Sequence, residues 1–135
     1  MGYRSDVKYV ICLPDDKAIA NYMGEVNLLL ADKPDMKDVL DKITNSVEIE
    51  PAETGYTPKY KYQIRVHWEW VKWYEGYDWV ESQERLMELA LDYDGAWFFI
   101  RLGESDDDCE VKSDSQYQDE FVEDYITFTR SSSFA

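Results

Sequence analysis

The clearest pattern along the chain is an alternation of apolar and polar residues between positions 60 and 70. The apolar positions are Tyr60, Tyr62, Ile64, Val66, Trp68 and Trp70, and the residues between them are Lys61, Gln63, Arg65, His67 and Glu69. A period of two predicts a half-buried β-strand with one apolar face and one polar face. A strand of this length also needs a bend or a bulge near its end.

Further strands are predicted from runs rich in β-branched and aromatic residues. Residues 7–13 (VKYVICL) and 96–102 (AWFFIRL) have the composition of buried strands. The weaker candidates are a short edge strand at residues 47–50, a strand at residues 109–116, and a last strand at residues 125–130, with a short helix at residues 121–125 as an alternative. Two prolines and a glycine predict a loop at residues 51–59.

Three stretches with helical spacing lie between these strands. Asp15 or Asp16 can cap the first helix, Pro34 suits the first turn of the second, and an Asp78-x-x-Glu81 pair resembles a capping box before the third. Gly95 is the expected left-handed cap at the end of the third helix. The apolar positions are Ile19, Tyr22, Met23, Val26, Leu29 and Leu30, then Met36, Val39, Leu40 and Ile43, then Val80, Gln83, Leu86, Met87, Ala90 and Leu91.

This order of elements predicts an α+β fold. We expect an antiparallel sheet with its helices packed on one face, and a ferredoxin-like core with additions is the nearest simple topology. The 135 residues fit one domain, residues 1–135. No run of about 18 apolar residues occurs, so no membrane span is expected.

The net charge of −15 is larger than a domain of this size needs. Solubility alone asks for about 2–8 charges on a small domain, and the excess costs stability through self-repulsion. The imbalance is concentrated in residues 92–135, which carry twelve acids and three bases. Such a chain repels phosphates, which argues against nucleic acid as a direct ligand.

Residues suited to catalysis are few. Neither G-x-G-x-x-G nor G-x-x-x-x-G-K-[ST] occurs. His67 is the single histidine, and without an evident orienting partner it is weak support for a catalytic site. Cys12 lies in an apolar strand, and Cys109 lies among carboxylates that make it a poor nucleophile. We expect two free thiols in a reducing cytosol, no catalytic residues, no metal site and no cofactor.

A calcium loop is the nearest metal motif. Asp106, Asp108, Glu110 and Asp114 resemble the ligands of such a loop. However, Val111 and Tyr117 stand where the loop needs glycine and a bidentate glutamate. A metal-binding or hydrolytic enzyme that uses the acidic cluster stays open as an alternative, because 29 acids make some close pair inevitable.

The acidic segment from residue 92 to residue 124 is the predicted binding surface, although most charge runs are only solvated surface. A strand over residues 104–110 would place the even-numbered acids on one face about 6.6 Å apart. Duplex DNA carries a charge every 1.7 Å or so, so other acidic segments must lie alongside to imitate it. The candidate partner-binding residues are Asp92, Asp94, Glu104, Asp106, Asp107, Asp108, Glu110, Asp114, Asp119, Glu120, Glu123 and Asp124.

The opening residues Met1 to Val7 (MGYRSDV) resemble those of small bacteriophage-encoded proteins. With its size and acidity, the chain resembles phage DNA-mimic inhibitors of host DNA gyrase. The resemblance implies a cytoplasmic inhibitor without catalytic residues that occupies the DNA-binding surface of a host enzyme. Gyrase is favoured, and a restriction enzyme, RNA polymerase or CRISPR effector is an alternative partner. A general protein-binding module that uses strand 60–74 is a further alternative, and a homodimer stays open.

Overall fold

A computed structural model of the chain describes residues 3–49, 60–105 and 107–115. The predicted loop at residues 51–59, the predicted strand at 125–130 and its helical alternative at 121–125 lie outside the described residues. No helix in the described ranges is long and apolar enough to cross a membrane.

The predicted strands and helices within these ranges are confirmed, with small changes at their ends. In chain order they are β1 (Ser5–Leu13), α1 (Asp16–Leu30), a 3-10 turn (Pro34–Met36) leading into α2 (Lys37–Asn45), β2 (Val47–Ile49), β3 (Tyr62–Val71), α3 (Asp78–Leu89) with a 3-10 turn (Ala90–Tyr93), β4 (Ala96–Leu102) and β5 (Cys109–Ser115).

The five strands form one antiparallel sheet in the order β2-β3-β1-β4-β5. β1 and β2 therefore run parallel with β3 between them, which is the split β-α-β arrangement of a ferredoxin-like core. α2 and β5 are additions to that core. The predicted α+β class with one antiparallel sheet is confirmed.

The main core lies between the sheet and the helices. Val7, Tyr9 and Ile11 of β1 are at most 1% exposed and share one cluster with residues of all three helices. Gln83 of α3 is the polar centre of this core, since its side-chain oxygen accepts hydrogen bonds from Tyr9 (2.6 Å) and from the Trp68 indole (2.7 Å). A buried amide satisfied in this way fixes how α3 sits on the sheet.

A smaller cluster covers the opposite face of β1. It consists of Val10, Cys12, Tyr60 and Ala96, with Phe98 packed against it. Tyr60 was predicted on the same face as Tyr62, and this is wrong. Tyr60 precedes the first paired residue of β3, so the alternation of the strand does not extend to it.

The predicted bulge in β3 is confirmed. Val7 pairs with Trp68 but Ser5 pairs with Val71, so β3 contains one extra residue. Trp70 lies at the bulge in the left-handed region (φ 55°), and its N–H donates to Asp6 Oδ1 at 2.8 Å. Its predicted place on the apolar face is wrong, because the bulge leaves the side chain 61% exposed.

Two of the three predicted caps differ from the structure. The Asp15 carboxylate accepts from the Ala18 N–H at 2.8 Å and caps α1, as predicted. The predicted capping box of α3 does not form, since Tyr77 is the N-cap residue and Asp78 lies inside the first turn.

At the end of α3 the left-handed residue is Asp94 (φ 61°), not Gly95 as predicted. The glycine is required for a different reason, which is the close approach of two backbones. A Cβ on Gly95 would lie 2.4 Å from the Cys12 carbonyl oxygen and 2.8 Å from that of Ala90.

We expect Trp70→Gly to leave the protein as stable as the wild type or to stabilise it by about 1 kcal/mol. Glycine adopts a positive φ without the penalty that a side chain incurs. The control is Trp68→Gly, two residues away, which removes a ring that packs on the core and bonds to Gln83. That change should cost about 3–5 kcal/mol. Urea unfolding of both variants measures the difference, and equal losses would contradict the left-handed geometry of Trp70.

Candidate acidic binding surface

The turn between β4 and β5 carries the densest acidic run. Its described residues are joined by hydrogen bonds from the Gly103 N–H to the Asp108 carbonyl (2.8 Å) and from the Asp108 N–H to the Ser105 carbonyl (3.0 Å). β5 begins only at Cys109, where it pairs with Leu102. The strand over residues 104–110 that would have aligned the even-numbered acids does not form, because β5 begins only at Cys109 and the described residues between Leu102 and Cys109 belong to the turn.

Two of the predicted partner-binding acids are engaged inside the fold. Asp108 accepts from two nitrogens of Arg101, at 2.9 and 3.2 Å, and Glu110 accepts from its Nε at 3.3 Å. The Ser5 hydroxyl takes a further bond from Arg101 at 3.0 Å. The Arg101 side chain is only 16% exposed. These four residues are called the Arg101 cluster below.

The Arg101 cluster is a partly buried, bidentate ion pair. Burial lowers the pKa of Arg101, but the hydrogen bonds and charges of Asp108 and Glu110 outweigh this, so the net effect is a raised pKa. The cation is thus held in its charged form by the two carboxylates. Removing either carboxylate leaves a largely buried charge with too few acceptors.

Tyr3 joins this cluster to the loop that precedes α3. Its hydroxyl donates to Asp108 and accepts from the Ser105 N–H at 3.3 Å. Its own N–H donates to the hydroxyl of Tyr74. The start of the described chain, the β4–β5 turn and the loop after β3 therefore meet at one end of the sheet.

A pocket of about 430 Å³ opens at this meeting point. We call it the hairpin pocket. The rings of Tyr3, Trp73 and Tyr74 line it, together with Glu75, Glu84 and Lys112 and the charged members of the Arg101 cluster. Lys112 Nζ lies 3.0 Å from Glu84 Oε2 and 4.8 Å from the centre of the Phe99 ring.

The remaining predicted acids are divided between exposed positions and residues outside the described ranges. The exposed ones are Asp92, Asp94, Glu104, Asp107 and Asp114. Those outside the described ranges are Asp106, Asp119, Glu120, Glu123 and Asp124. The predicted row of even-numbered acids does not exist in the described part, since Asp108 and Glu110 converge on Arg101.

The larger acidic surface lies on the helices, where sequence reasoning did not place it. Among the described residues, 17 acidic side chains are exposed but only five basic ones. Eleven of these acids belong to the helices or directly flank them, and we call this set the acidic helical face. Its members are Asp15, Asp16, Asp32, Asp35, Asp38, Asp41, Asp78, Glu81, Glu88, Asp92 and Asp94. The exposed bases on the same helices are Lys17, Lys37 and Arg85.

The acidic helical face is not evident from the charge along the chain, because bases nearly balance the acids of residues 1–45. In the fold several of the lysines among them are half-buried. Lys33 lies 3.7 Å from Asp78 and 3.4 Å from the Ser82 hydroxyl, and Lys42 packs 4.7 Å from the centre of the Trp68 ring. The signal in the sequence was the recurrence of acids every three positions at residues 35, 38 and 41, which lie in the 3-10 turn and in α2.

The residues considered for catalysis or metal binding lie apart from one another. Cys12 is buried and Cys109 is exposed, and both are free thiols. His67 is half-buried, with a pKa lowered by desolvation, and its Nε2 lies 3.9 Å from Glu69. Within residues 3–49, 60–105 and 107–115, no three His, Cys, Asp or Glu side chains are grouped so that they could hold a metal ion.

Comparison with models of protein families, with curated proteins and with solved structures finds no match to this chain. The resemblance of the opening residues to phage proteins therefore stays a prediction.

We expect Asp108→Asn to destabilise the protein by about 1–3 kcal/mol, because it leaves the Arg101 guanidinium short of a charged acceptor. Asp107→Asn is a matched control, since it removes the same charge from the adjacent exposed position of the same turn. It should change stability by less than about 0.5 kcal/mol. Chemical unfolding at neutral pH compares the two. An equal effect would show that the Arg101 cluster contributes nothing beyond its charge.

Proposed function

We propose that this protein is a DNA mimic that acts in the bacterial cytoplasm by occupying the DNA-binding surface of a host enzyme. The observation that carries the proposal is the excess of 17 exposed acids over five exposed bases among the described residues. DNA gyrase is the first candidate partner, and this choice rests on the resemblance of the opening residues alone.

The surface is more acidic than the composition because the fold withdraws its cations. Arg101, Lys33 and Lys112 are half-buried and lie beside carboxylates. An acidic surface of this kind repels nucleic acid and attracts the lysines and arginines of a DNA-binding groove. Such long-range attraction speeds association and weakens as salt is added.

The carboxylates of α2 and α3 belong to one connected part of the acidic helical face. The Trp79 indole of α3 donates to Asp38 of α2 at 3.2 Å, which brings the starts of the two helices together. In α3 the exposed Glu81 and Glu88 are separated by about 10 Å of helix rise, and the exposed Asp92 lies in the 3-10 turn that follows. One helix is therefore sparser than a DNA strand, and the mimicry requires several helices together.

The alternatives differ in what would support them. A restriction enzyme, RNA polymerase or CRISPR effector would be bound through the same electrostatic surface and is distinguished only by assay. The general module that uses strand 60–74 would depend on exposed aromatics such as Trp70. The metal-binding or hydrolytic alternative has no group of potential ligands in the described ranges to support it.

We expect the triple variant Glu81→Gln, Glu88→Gln, Asp92→Asn to bind its partner about tenfold more weakly. Each exposed charge contributes about 0.2–1 kcal/mol to an electrostatic contact. The measurement is the concentration that half-inhibits supercoiling by purified gyrase, repeated at increasing salt. The three positions are exposed, so the melting temperature serves as the folding control.

The matched control removes the three exposed bases of the same face through Lys17→Gln, Lys37→Gln and Arg85→Gln. This variant should inhibit at least as well as the wild type, because it makes the face more acidic. A wild type that leaves supercoiling unchanged at large molar excess removes gyrase as the partner. If the two triple variants behave alike, the electrostatic mechanism is wrong for whichever enzyme is inhibited.

A further inference from the structure

The hairpin pocket combines a surplus of carboxylates with aromatic walls. Four acids line it, Glu75, Glu84, Asp108 and Glu110, against the two bases Arg101 and Lys112. Neither base is arranged to receive an anion. Arg101 donates from Nε and both terminal nitrogens to its cluster, and Lys112 lies against Glu84 and the Phe99 ring. The lining therefore favours a positively charged ligand.

Glu75 is the most accessible of these acids. It is exposed, and within the described residues it forms no ion pair. Glu84 also lines the pocket, and one of its two oxygens contacts Lys112 at 3.0 Å. Both carboxylates can accept hydrogen bonds from a cation without disturbing the Arg101 cluster.

The aromatic lining selects among cations. Tyr3, Trp73 and Tyr74 line the pocket, and a cation over an aromatic ring is stabilised by about 0.5–2 kcal/mol. The same kind of contact occurs within the described part of the fold, for example at Lys42 over Trp68 (4.7 Å) and at Lys112 over Phe99 (4.8 Å). A guanidinium group fits best, because it is planar, weakly hydrated, stacks on rings and binds carboxylates with two parallel hydrogen bonds.

A metal ion fits less well. Divalent cations such as Ca²⁺ and Mg²⁺ need several oxygen ligands around one point. The described residues contain no group of three His, Cys, Asp or Glu side chains that could hold a metal ion. Two of the pocket's carboxylates, Asp108 and Glu110, are already bound to Arg101, which leaves Glu75 and Glu84 for an organic cation.

We propose that the hairpin pocket is a binding site for a guanidinium group. The source of the guanidinium group rests on the proposed function: it is an arginine side chain of the basic partner. The pocket then supplies a defined contact beside the diffuse attraction of the acidic helical face. Interfaces commonly concentrate their affinity at such buried anchors.

The test uses the ¹⁵N-labelled full chain and N-acetyl-arginine amide as the probe, with N-acetyl-citrulline amide as the neutral, nearly isosteric control. We expect saturable shifts of the Trp73 indole N–H and of the backbone amides of Tyr74 and Glu75. The affinity should be in the millimolar range or weaker for so small a ligand. The citrulline compound should produce shifts at least fivefold smaller at the same concentration.

Two single substitutions separate a defined site from general attraction. Glu75→Gln changes a carboxylate of the pocket and should weaken binding of the arginine compound at least threefold. Asp107→Asn removes the same charge from the nearby turn outside the pocket lining and should leave the affinity unchanged. Equal weakening by both, equal shifts with the citrulline compound, or shifts that spread without saturation over the acidic helical face would each overturn the proposal.

The outcome is independent of the partner. If the arginine compound binds in the pocket while gyrase and the other candidate enzymes are not inhibited, the guanidinium site stands and the proposed function fails. If an enzyme is inhibited but the arginine compound does not bind in the pocket, the DNA-mimic function stands and the pocket is not its anchor.

Discussion

The partly buried guanidinium of Arg101 is the interaction on which this end of the molecule depends. It joins Ser5 at the start of β1 with Asp108 and Glu110, which flank the start of β5. Because a charge so far removed from water needs several acceptors, the β4–β5 turn has to bring its carboxylates back toward β4. The hairpin pocket exists because this turn is held in place against the loop before α3.

The same requirement divides the acids into two groups with different roles. Asp108 and Glu110 neutralise an internal cation and are part of the fold. The acids of the helical face are exposed, and some of them also bond within the fold, as Asp15 does at the cap of α1 and Asp78 beside Lys33. The chain has 29 acids and 14 bases, and the partial burial of Lys33, Lys42 and Lys112 adds to the excess of acids among the exposed side chains.

The bulge in β3 is a second departure from regular structure. An aromatic residue in the left-handed region is uncommon, and here the carboxylate of Asp6 holds its backbone N–H. The bulge lets Val71 continue the pairing with β1 while Trp70 remains exposed. Trp70 is thus an exposed aromatic ring whose backbone is held by the Asp6 carboxylate at the end of β3.

The sequence by itself determined the elements and the fold class. Alternation at residues 62–68 and helical spacing at residues 19–30 and 80–91 are local properties, because burying one face of a strand or helix needs only the right period. These patterns also predicted the inward position of Gln83 and the bulge in β3. The order of elements was enough to suggest the ferredoxin-like arrangement, since few topologies connect such elements without crossing.

Which charged side chains are exposed to solvent depends on the tertiary structure. Whether a carboxylate meets solvent or a cation depends on residues far away in sequence, as with Ser5 and Arg101, and no period in the chain records this. The same holds for Gly95, whose role is set by the carbonyl of Cys12 on a strand more than eighty residues earlier. The amount of negative charge can therefore be counted from the sequence. Which basic side chains remain exposed beside the acids of the helices depends on how the bases pack against rings and carboxylates.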